Sequence, residues 1–176
     1  MSGTNSAILS DCGTYRYELR RHVPCALRWI EPALFILFNP STADAAKDDA
    51  TVRKGRGFCQ RWYCTEMIFW NLYAFRSRDP KALKKAEDPV GPLNDEHLRK
   101  ILKSHVSGNV VLAWGTLVGP AMSRRVFQVS RILREHGKQP WAIKLNDNGS
   151  PAHPLMLGYD NELKPVDLDR LEKVYQ

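Results

Sequence analysis

The chain has 176 residues, of which 43% are hydrophobic and 26% are charged, so we expect one soluble globular domain spanning residues 1–176. Its formal net charge of +7 favours an anionic partner, either nucleic acid or a phosphorylated ligand. No apolar run is long enough to span a bilayer, and the first residues lack the basic-then-apolar order of a signal peptide. These features predict a cytoplasmic protein with no membrane partner.

The four cysteines argue against a bound metal. They are Cys12, Cys25, Cys59 and Cys64, and no two of them have the C-x2-C spacing that is typical of zinc sites and iron–sulfur clusters. We therefore expect reduced, partly buried thiols, no metal site and no cofactor.

The predicted elements begin with an N-terminal hairpin. Residues 14–31 alternate in polarity on either side of Pro24, so residues 1–32 are assigned to a hairpin extension. Four later apolar runs predict buried strands, at residues 33–38, 67–70, 110–114 and 141–145. Three segments between them predict helices: residues 48–64 (weakened by Gly55 and Gly57), 92–106 (capped by Asn94 or Asp95) and 121–137 (closed by Gly137).

Strands that alternate with helices predict an α/β fold. We expect a three-layer sandwich around a central, mainly parallel four-stranded sheet. Such sheets bind ligands at the carboxyl ends of their strands. The turn after Phe38 and the segments after Trp70 and Trp114 should then share one edge with the polar loop at residues 148–158.

The segment Asn39-Pro40-Ser41 directly follows the first of these strands. It is typical of an Asx-Pro turn that leads into a helix, with Ser41 or Thr42 as the cap. A rigid turn would equally hold the Asn39 side chain where it could position a water or bind a base edge. Both interpretations are compatible with the sequence.

Two other strand ends carry candidate binding residues. Asn71 ends the second core strand, and its amide could read a nucleobase edge, although asparagine is also a common turn former. Gly115 follows Trp114 and would let a ligand approach the backbone closely.

A histidine in the last loop is held between two prolines, Pro151 and Pro154. His153 could act as a neutral hydrogen-bond donor or as an acid. Leu155 and Met156 follow it, and these apolar side chains would either pack inward or wedge into a base stack.

Cations and aromatic residues alternate in the first predicted helix. Arg53 and Arg56 could contact phosphates, while Phe58 and Trp62 could stack on a base. The alternative is a helix whose charged face is simply solvated, as is usual for arginines on a helix.

Taken in chain order, these motifs resemble the uracil-DNA glycosylase superfamily over residues 33–157. Asn39-Pro40 matches the Asn-Pro of the mismatch-specific uracil glycosylases, and Asn71 matches the asparagine that reads the base. The segments "VVLAWG" and "HPLML" match the third and last motifs. A closer likeness is to a bacterial and phage family of unassigned function with the pattern NPSTAD, DPVG, ND, AWG and HPL.

The resemblance implies a DNA glycosylase that flips a base and hydrolyses its N-glycosidic bond, leaving an abasic site. Asn39 would position the water, with Asp44 or Asp49 recruited as a stronger base. His153 would stabilise the departing base, and Ser41 would contact a backbone phosphate. Leu155 or Met156 would fill the vacated stack.

The family's tyrosine-type barrier is not evident after Pro40, where the side chains are small. A bulky modified pyrimidine, such as hydroxymethylcytosine or its glucosylated form in phage DNA, is therefore a candidate substrate. DNA is the expected partner and a monomer the expected state, while repair and anti-phage defence both remain open as the biological role.

Two alternatives belong to other classes. The chain could be an N-glycosidase that acts on free nucleosides or nucleotides, in which case free nucleotides should compete as well as DNA does. It could also be a non-catalytic DNA-binding module that recognises a flipped base without cleaving it.

Overall fold

The computed structural model describes residues 5–24, 31–41, 43, 46–77, 79–104, 108–116 and 119–176. Within these ranges seven strands form one sheet: β1 Ser6–Leu9, β2 Arg16–His22, β3 Ala33–Leu37, β4 Glu66–Asn71, β5 Asn109–Leu112, β6 Pro140–Ala142 and β7 Lys164–Pro165. Five helices accompany them: α1 Ala50–Arg61, α2 Pro80–Lys85, α3 Asn94–Ser104, α4 Pro120–Glu135 and α5 Leu168–Val174. A 3₁₀ helix spans Pro154–Met156.

The sheet has the order β1-β2-β4-β3-β5-β6-β7. The four strands predicted from apolar runs are present, and they form the parallel centre, β4-β3-β5-β6. The α/β class is thus confirmed. The prediction of a four-stranded sheet was wrong, because β1, β2 and β7 add antiparallel strands at the two sides.

The N-terminal hairpin is formed by strands other than the predicted pair. β2 pairs with β1 on one side and with β4 on the other, so both of its edges are occupied. The predicted second arm falls largely on residues 25–30, which lie outside the described ranges. An N-terminal hairpin is thus present, but β2 pairs with β1 rather than with the predicted arm, because alternation in polarity identifies a strand without identifying its neighbour.

Helices cover both faces of the sheet, which gives three layers. Side chains alternate across the sheet, as strand geometry requires: Ile36 and Trp70 face α3, α4 and α5, while Phe35 and Phe69 face α1. The three predicted helices are present as α1, α3 and α4, whereas α2 and α5 were not predicted.

Helix α1 packs closely on β4 because its buried stripe contains a glycine. A Cβ at Gly55 would lie 2.7 Å from Met67 Sδ and 2.8 Å from Phe69 Cζ, so only glycine fits without displacement of these side chains. The helix begins after Asp49, whose carboxylate accepts a hydrogen bond from the Val52 N–H. This packing fixes the first turn of α1 beside the sheet.

The carboxyl ends of the central strands meet at one edge. Leu37 is in register with Asn71 across β3 and β4, and the pairing continues through Leu72 N–H to Leu37 O at 2.8 Å. The Gly115 N–H donates to Pro151 O at 2.8 Å, which ties the loop after β5 to the loop at residues 148–158. The predicted edge is therefore assembled by backbone hydrogen bonds.

Candidate functional site

A cavity of about 250 Å³ opens at this edge of the sheet. Polar and apolar residues line it together: Arg16, Leu37, Phe38, Asn39, Ser41, Asp49, Thr51, Phe69, Asn71, Trp114 and His153. Five of these were predicted from the sequence as site residues, namely Asn39, Ser41, Asp49, Asn71 and His153. The fold thus brings together side chains that are up to 114 positions apart (39 to 153).

The Asn39 amide is fixed by the turn that carries it. Its Nδ2 donates to Ser77 O at 2.9 Å and to Pro40 O at 3.3 Å. Because both donors are used within the protein, Oδ1 is the atom that Asn39 can offer to a ligand or a water as an acceptor.

Asn71 is buried, with 1% of its surface exposed, and it lines the cavity. Neither Oδ1 nor Nδ2 has a hydrogen-bond partner among the described residues. Its backbone oxygen accepts a hydrogen bond from Asn94 Nδ2 at 2.9 Å, which fixes the strand end that carries it. A buried amide without partners costs about 1–3 kcal/mol per unsatisfied group. A ligand that offers both a donor and an acceptor would remove this cost.

His153 precedes the 3₁₀ helix and caps it. Its Nδ1 accepts a hydrogen bond from the Leu155 N–H at 3.3 Å. Burial lowers the pKa of His153, and the negative charge of Asp49 opposes this effect. The ring is therefore neutral at physiological pH and carries its proton on Nε2.

Asp49 joins the turn after β3 to helix α1. Its Oδ1 accepts from the Val52 N–H at 2.8 Å, and its Oδ2 accepts from the Ser41 hydroxyl. The prediction that Ser41 contacts a phosphate is not supported by this geometry, because the hydroxyl proton is already donated to Asp49. Ser41 instead orients a carboxylate that lines the cavity. Asp44, the other predicted acid, lies outside the described residues.

Arg16 is a cavity residue that the sequence did not reveal. Only 3% of it is exposed, Nη1 donates to Ala43 O at 2.8 Å, and Nε has no partner in the described part of the chain. Desolvation lowers the pKa of Arg16 to about 10, although the negative charge of Asp49 acts in the opposite direction. The guanidinium therefore remains charged at neutral pH. The sequence around Arg16 does not predict this position, because the face of β2 that meets the cavity is set by the pairing of β2 with β4.

The predicted stacking residues are not in the cavity. Phe58 is fully buried in the core between α1 and the sheet, and Trp62 stacks on Phe58 and Phe35 with ring centroids 5.3 and 5.9 Å apart. The prediction was wrong because Phe58 in α1 and Trp62, which follows the helix, both pack on the core. Phe38, Phe69 and Trp114 provide the aromatic lining instead.

Apart from Ser41, the predicted DNA-contacting residues lie outside the cavity. Arg56 forms an ion pair with Asp48 at 2.9 Å, and Arg53 donates to the Asp48 backbone oxygen. Leu155 and Met156 follow His153 and are 41% and 88% exposed. Gly115, with φ of 91°, lies behind His153, where an added Cβ would be 3.7 Å from the His153 Cβ.

The described residues contain no helix that is both long and apolar enough to cross a membrane. Nor do they bring together three or more His, Cys, Asp or Glu side chains that could hold a metal ion. In the same ranges Cys59 and Cys64 are buried free thiols and Cys12 is an exposed one.

Comparison with known proteins gives one match. A family model described as "Protein of unknown function (DUF1643)" matches residues 16–155. The matched range contains each of the cavity-lining residues. No curated protein and no solved structure matches the chain.

Proposed function

This chain belongs to the DUF1643 family, and we propose that it is a monofunctional DNA glycosylase related to the uracil-DNA glycosylase superfamily. The observation that carries the proposal is the unpartnered amide of Asn71, which is buried in a cavity that Asn39 and His153 also line. An amide in this position is suited to the donor–acceptor edge of a nucleobase. The substrate is a pyrimidine extruded from DNA.

The size of the cavity favours a single base ring. At about 250 Å³, it is smaller than the roughly 300–1,000 Å³ of sites that enclose drug-sized ligands. A pyrimidine would enter while its sugar stays at the mouth. Hydroxymethylcytosine fits this arrangement, whereas the sugar of the glucosylated form would have to project out of the cavity.

The chemistry requires a water at the sugar and stabilisation of the leaving base. When the C1′–N bond breaks, its electron pair passes to the ring nitrogen and the sugar becomes cation-like. Asn39 Oδ1 accepts a hydrogen bond from the attacking water, and Asp49 takes the proton that this water loses on bonding to C1′. His153 Nε2–H donates to a ring carbonyl oxygen, on which negative charge accumulates. Asn71 binds the base edge.

The surface around the cavity suits a nucleic acid. Met156 and Leu155 are exposed apolar side chains beside His153, where one of them can occupy the space that the flipped base leaves. The net charge of +7 favours binding to phosphates.

The proposal is tested by a base-release screen. Purified protein is incubated with single- and double-stranded oligonucleotides that contain uracil, hydroxymethyluracil, hydroxymethylcytosine or glucosylated hydroxymethylcytosine. Mass spectrometry then detects the free base, and alkali converts abasic sites to strand breaks. Release from at least one DNA, lost in the His153→Gln variant and retained in His22→Gln, is the expected result. His22 is a matched control because it pairs with Glu66, at the opposite end of β4.

The same screen distinguishes the two alternatives. An N-glycosidase for free nucleosides would cleave mononucleosides at least as fast as oligonucleotides, and nucleotides would inhibit it strongly. A recognition module would bind DNA with the modified base and release nothing, and Asn39→Ala would leave this binding intact. Absence of base release from the whole panel would reject the glycosylase proposal.

A further inference from the structure

The cavity contains a buried positive charge whose hydrogen bonding is incomplete among the described residues. Arg16 is 3% exposed, and within the described part of the chain only its Nη1 forms a hydrogen bond, to Ala43 O. Its Nε is buried without a partner. Removing a guanidinium from water is costly unless hydrogen bonds and an opposite charge replace the lost hydration.

Among the described residues, the charges around Arg16 are positive on balance. Asp49 is the negative group that favours its protonated form, whereas Arg76 and Arg21 both disfavour it. Arg21 is compensated by Asp48 at 2.7 Å. The described pocket lining includes one carboxylate, that of Asp49, and this group is already bonded to Ser41 and to the backbone of α1. The cavity is therefore better suited to an anionic or strongly accepting ligand than to a neutral apolar one.

We propose that Arg16 contacts the base directly and stabilises the negative charge that the ring acquires as it departs. This inference rests on the proposed glycosylase function and adds a group to it. The C1′–N bond breaks heterolytically, both electrons go to the ring nitrogen, and resonance carries the charge onto a neighbouring carbonyl oxygen. Arg16 and His153 then share this oxygen or donate to different acceptors of the same ring. Water supplies the oxygen that bonds to C1′, and its proton goes to Asp49.

The division of labour between the two donors follows from their charges. His153 is a neutral donor because burial lowers its pKa, so it adds a dipole. Arg16 keeps a full charge, and a full charge in a water-poor cavity stabilises an anion more strongly than a neutral hydrogen bond does. The preferred substrates are consequently bases whose departing anions gain most from the positive charge of Arg16.

The first test compares leaving groups of different acidity. Single-turnover rates are measured for oligonucleotides containing uracil and 5-fluorouracil, whose fluorine stabilises the anion without help from the protein. Arg16→Gln should lower the rate on uracil about 100- to 1,000-fold. Its loss of rate on 5-fluorouracil should be at least ten times smaller. Arg16→Lys, which retains the charge, should recover part of the uracil rate. Arg131→Gln is the control, since Arg131 is 72% exposed on α4. Equal losses on both bases would overturn the proposal.

The second test does not depend on catalysis. Binding of free 5-fluorouracil is followed by the fluorescence of Trp114, which lines the cavity, with Trp114→Phe to identify its signal. Wild-type protein should bind the ionised ring more tightly than the neutral ring, and Arg16→Gln should lose this preference. Circular dichroism confirms that each variant is folded.

The two tests separate the failure of one proposal from that of the other. If no DNA releases a base but the anion preference is present and depends on Arg16, the glycosylase function fails and the anion site stands. If bases are released with the same leaving-group dependence in Arg16→Gln as in wild type, the function stands and the role of Arg16 is rejected. Wild-type protein that binds neither form of the ring would also reject it.

Discussion

The backbone N–H of Leu155 donates to Nδ1 of His153 at 3.3 Å, so the loop that carries the histidine also determines which ring nitrogen bears the proton. The hydrogen bond requires an unprotonated Nδ1, and a neutral imidazole then has its proton on Nε2. Burial strengthens this preference by lowering the pKa of the ring. The local sequence His-Pro-Leu thus produces a neutral donor rather than a cation.

Replacement of His153 by Gln should reduce single-turnover base release about 100- to 1,000-fold, as expected for loss of a donor to developing charge. In the wild type, activity should remain constant as the pH falls to 6.5, the ordinary pKa of histidine, since the pKa of His153 is lowered. Below that pH it should decline, because protonation of Nδ1 breaks its hydrogen bond with the Leu155 N–H and releases the ring from its position. The variant should lack this acid limb. A pH–rate profile measures both effects, and an acid limb that persists in the variant would assign it to another group.

The same lowered pKa has a consequence for stability. Below pH 6.5 the unfolded chain binds a proton that the folded chain resists, so the free energy of unfolding should fall as the pH drops from 6.5 toward the folded-state pKa. His97, whose pKa burial also lowers, should contribute in the same direction. In urea titrations, His153→Gln and His97→Gln should each lose less free energy of unfolding on acidification than the wild type does. His97→Gln should retain the wild-type pH–rate profile.

Asn71 provides a test of whether the cavity is maintained for function at a cost in stability. Asn71→Leu replaces a buried, unpartnered amide with an apolar side chain of similar size, so we expect the free energy of unfolding to rise by about 1 kcal/mol. Ligand binding and base release should be lost. Chemical denaturation and the release assay measure the two changes.

Asn94→Leu is the matched control for this prediction. Asn94 is equally buried, but its Nδ2 donates to Asn71 O and Leu72 O, so its replacement should destabilise the fold by about 1–3 kcal/mol. If Asn71→Leu destabilises as much as Asn94→Leu, the Asn71 amide is bonded within the protein in solution. The argument for a base-reading amide would then fail.

Much of the site could be predicted because strands that are buried on both faces give continuous apolar runs. The polar residue that follows such a run lies at the carboxyl end of its strand, and parallel strands bring these ends together. Asn39 and Asn71 were identified in this way, and His153 was identified in the polar, proline-rich loop that follows the last apolar run. Their common cavity follows from the register that places Leu37 opposite Asn71.

Other features depend on contacts that local sequence does not encode. Arg16 enters the cavity because β2 pairs antiparallel with β4, and nothing in the alternation of β2 specifies that neighbour. Phe58 was wrongly predicted to stack on the base, because a mixture of cations and aromatic residues in one helix does not show which of them face the core. Val52, Gly55 and Cys59 share its buried stripe, and this spacing favoured the core.

Asp49 combines a structural role with the proposed catalytic one, and two substitutions can separate them. Asparagine caps helices about as well as aspartate, so Asp49→Asn should keep the cap on Val52 and unfold at nearly the wild-type denaturant concentration. It should lose base release because an amide cannot take a proton from water. Asp49→Ala should lose activity and also about 1 kcal/mol of stability. Full activity in Asp49→Asn would show that another group accepts the proton.

Met156 provides a test of the proposed contact with duplex DNA. The side chain is 88% exposed, so Met156→Ser should leave the free energy of unfolding nearly unchanged. Extruding a base from a duplex costs a few kcal/mol of stacking, which an inserted apolar side chain partly recovers. Single-stranded DNA has less stacking to disrupt. We therefore expect base release from duplex DNA to fall roughly tenfold, about 1.4 kcal/mol, while release from single strands stays near the wild-type rate.

Ile8→Ser, at a 39% exposed residue of edge strand β1, should change neither rate. Equal losses on both substrates would mean that Met156 acts on the cavity through the adjoining His153 loop, rather than by occupying the space vacated in the base stack.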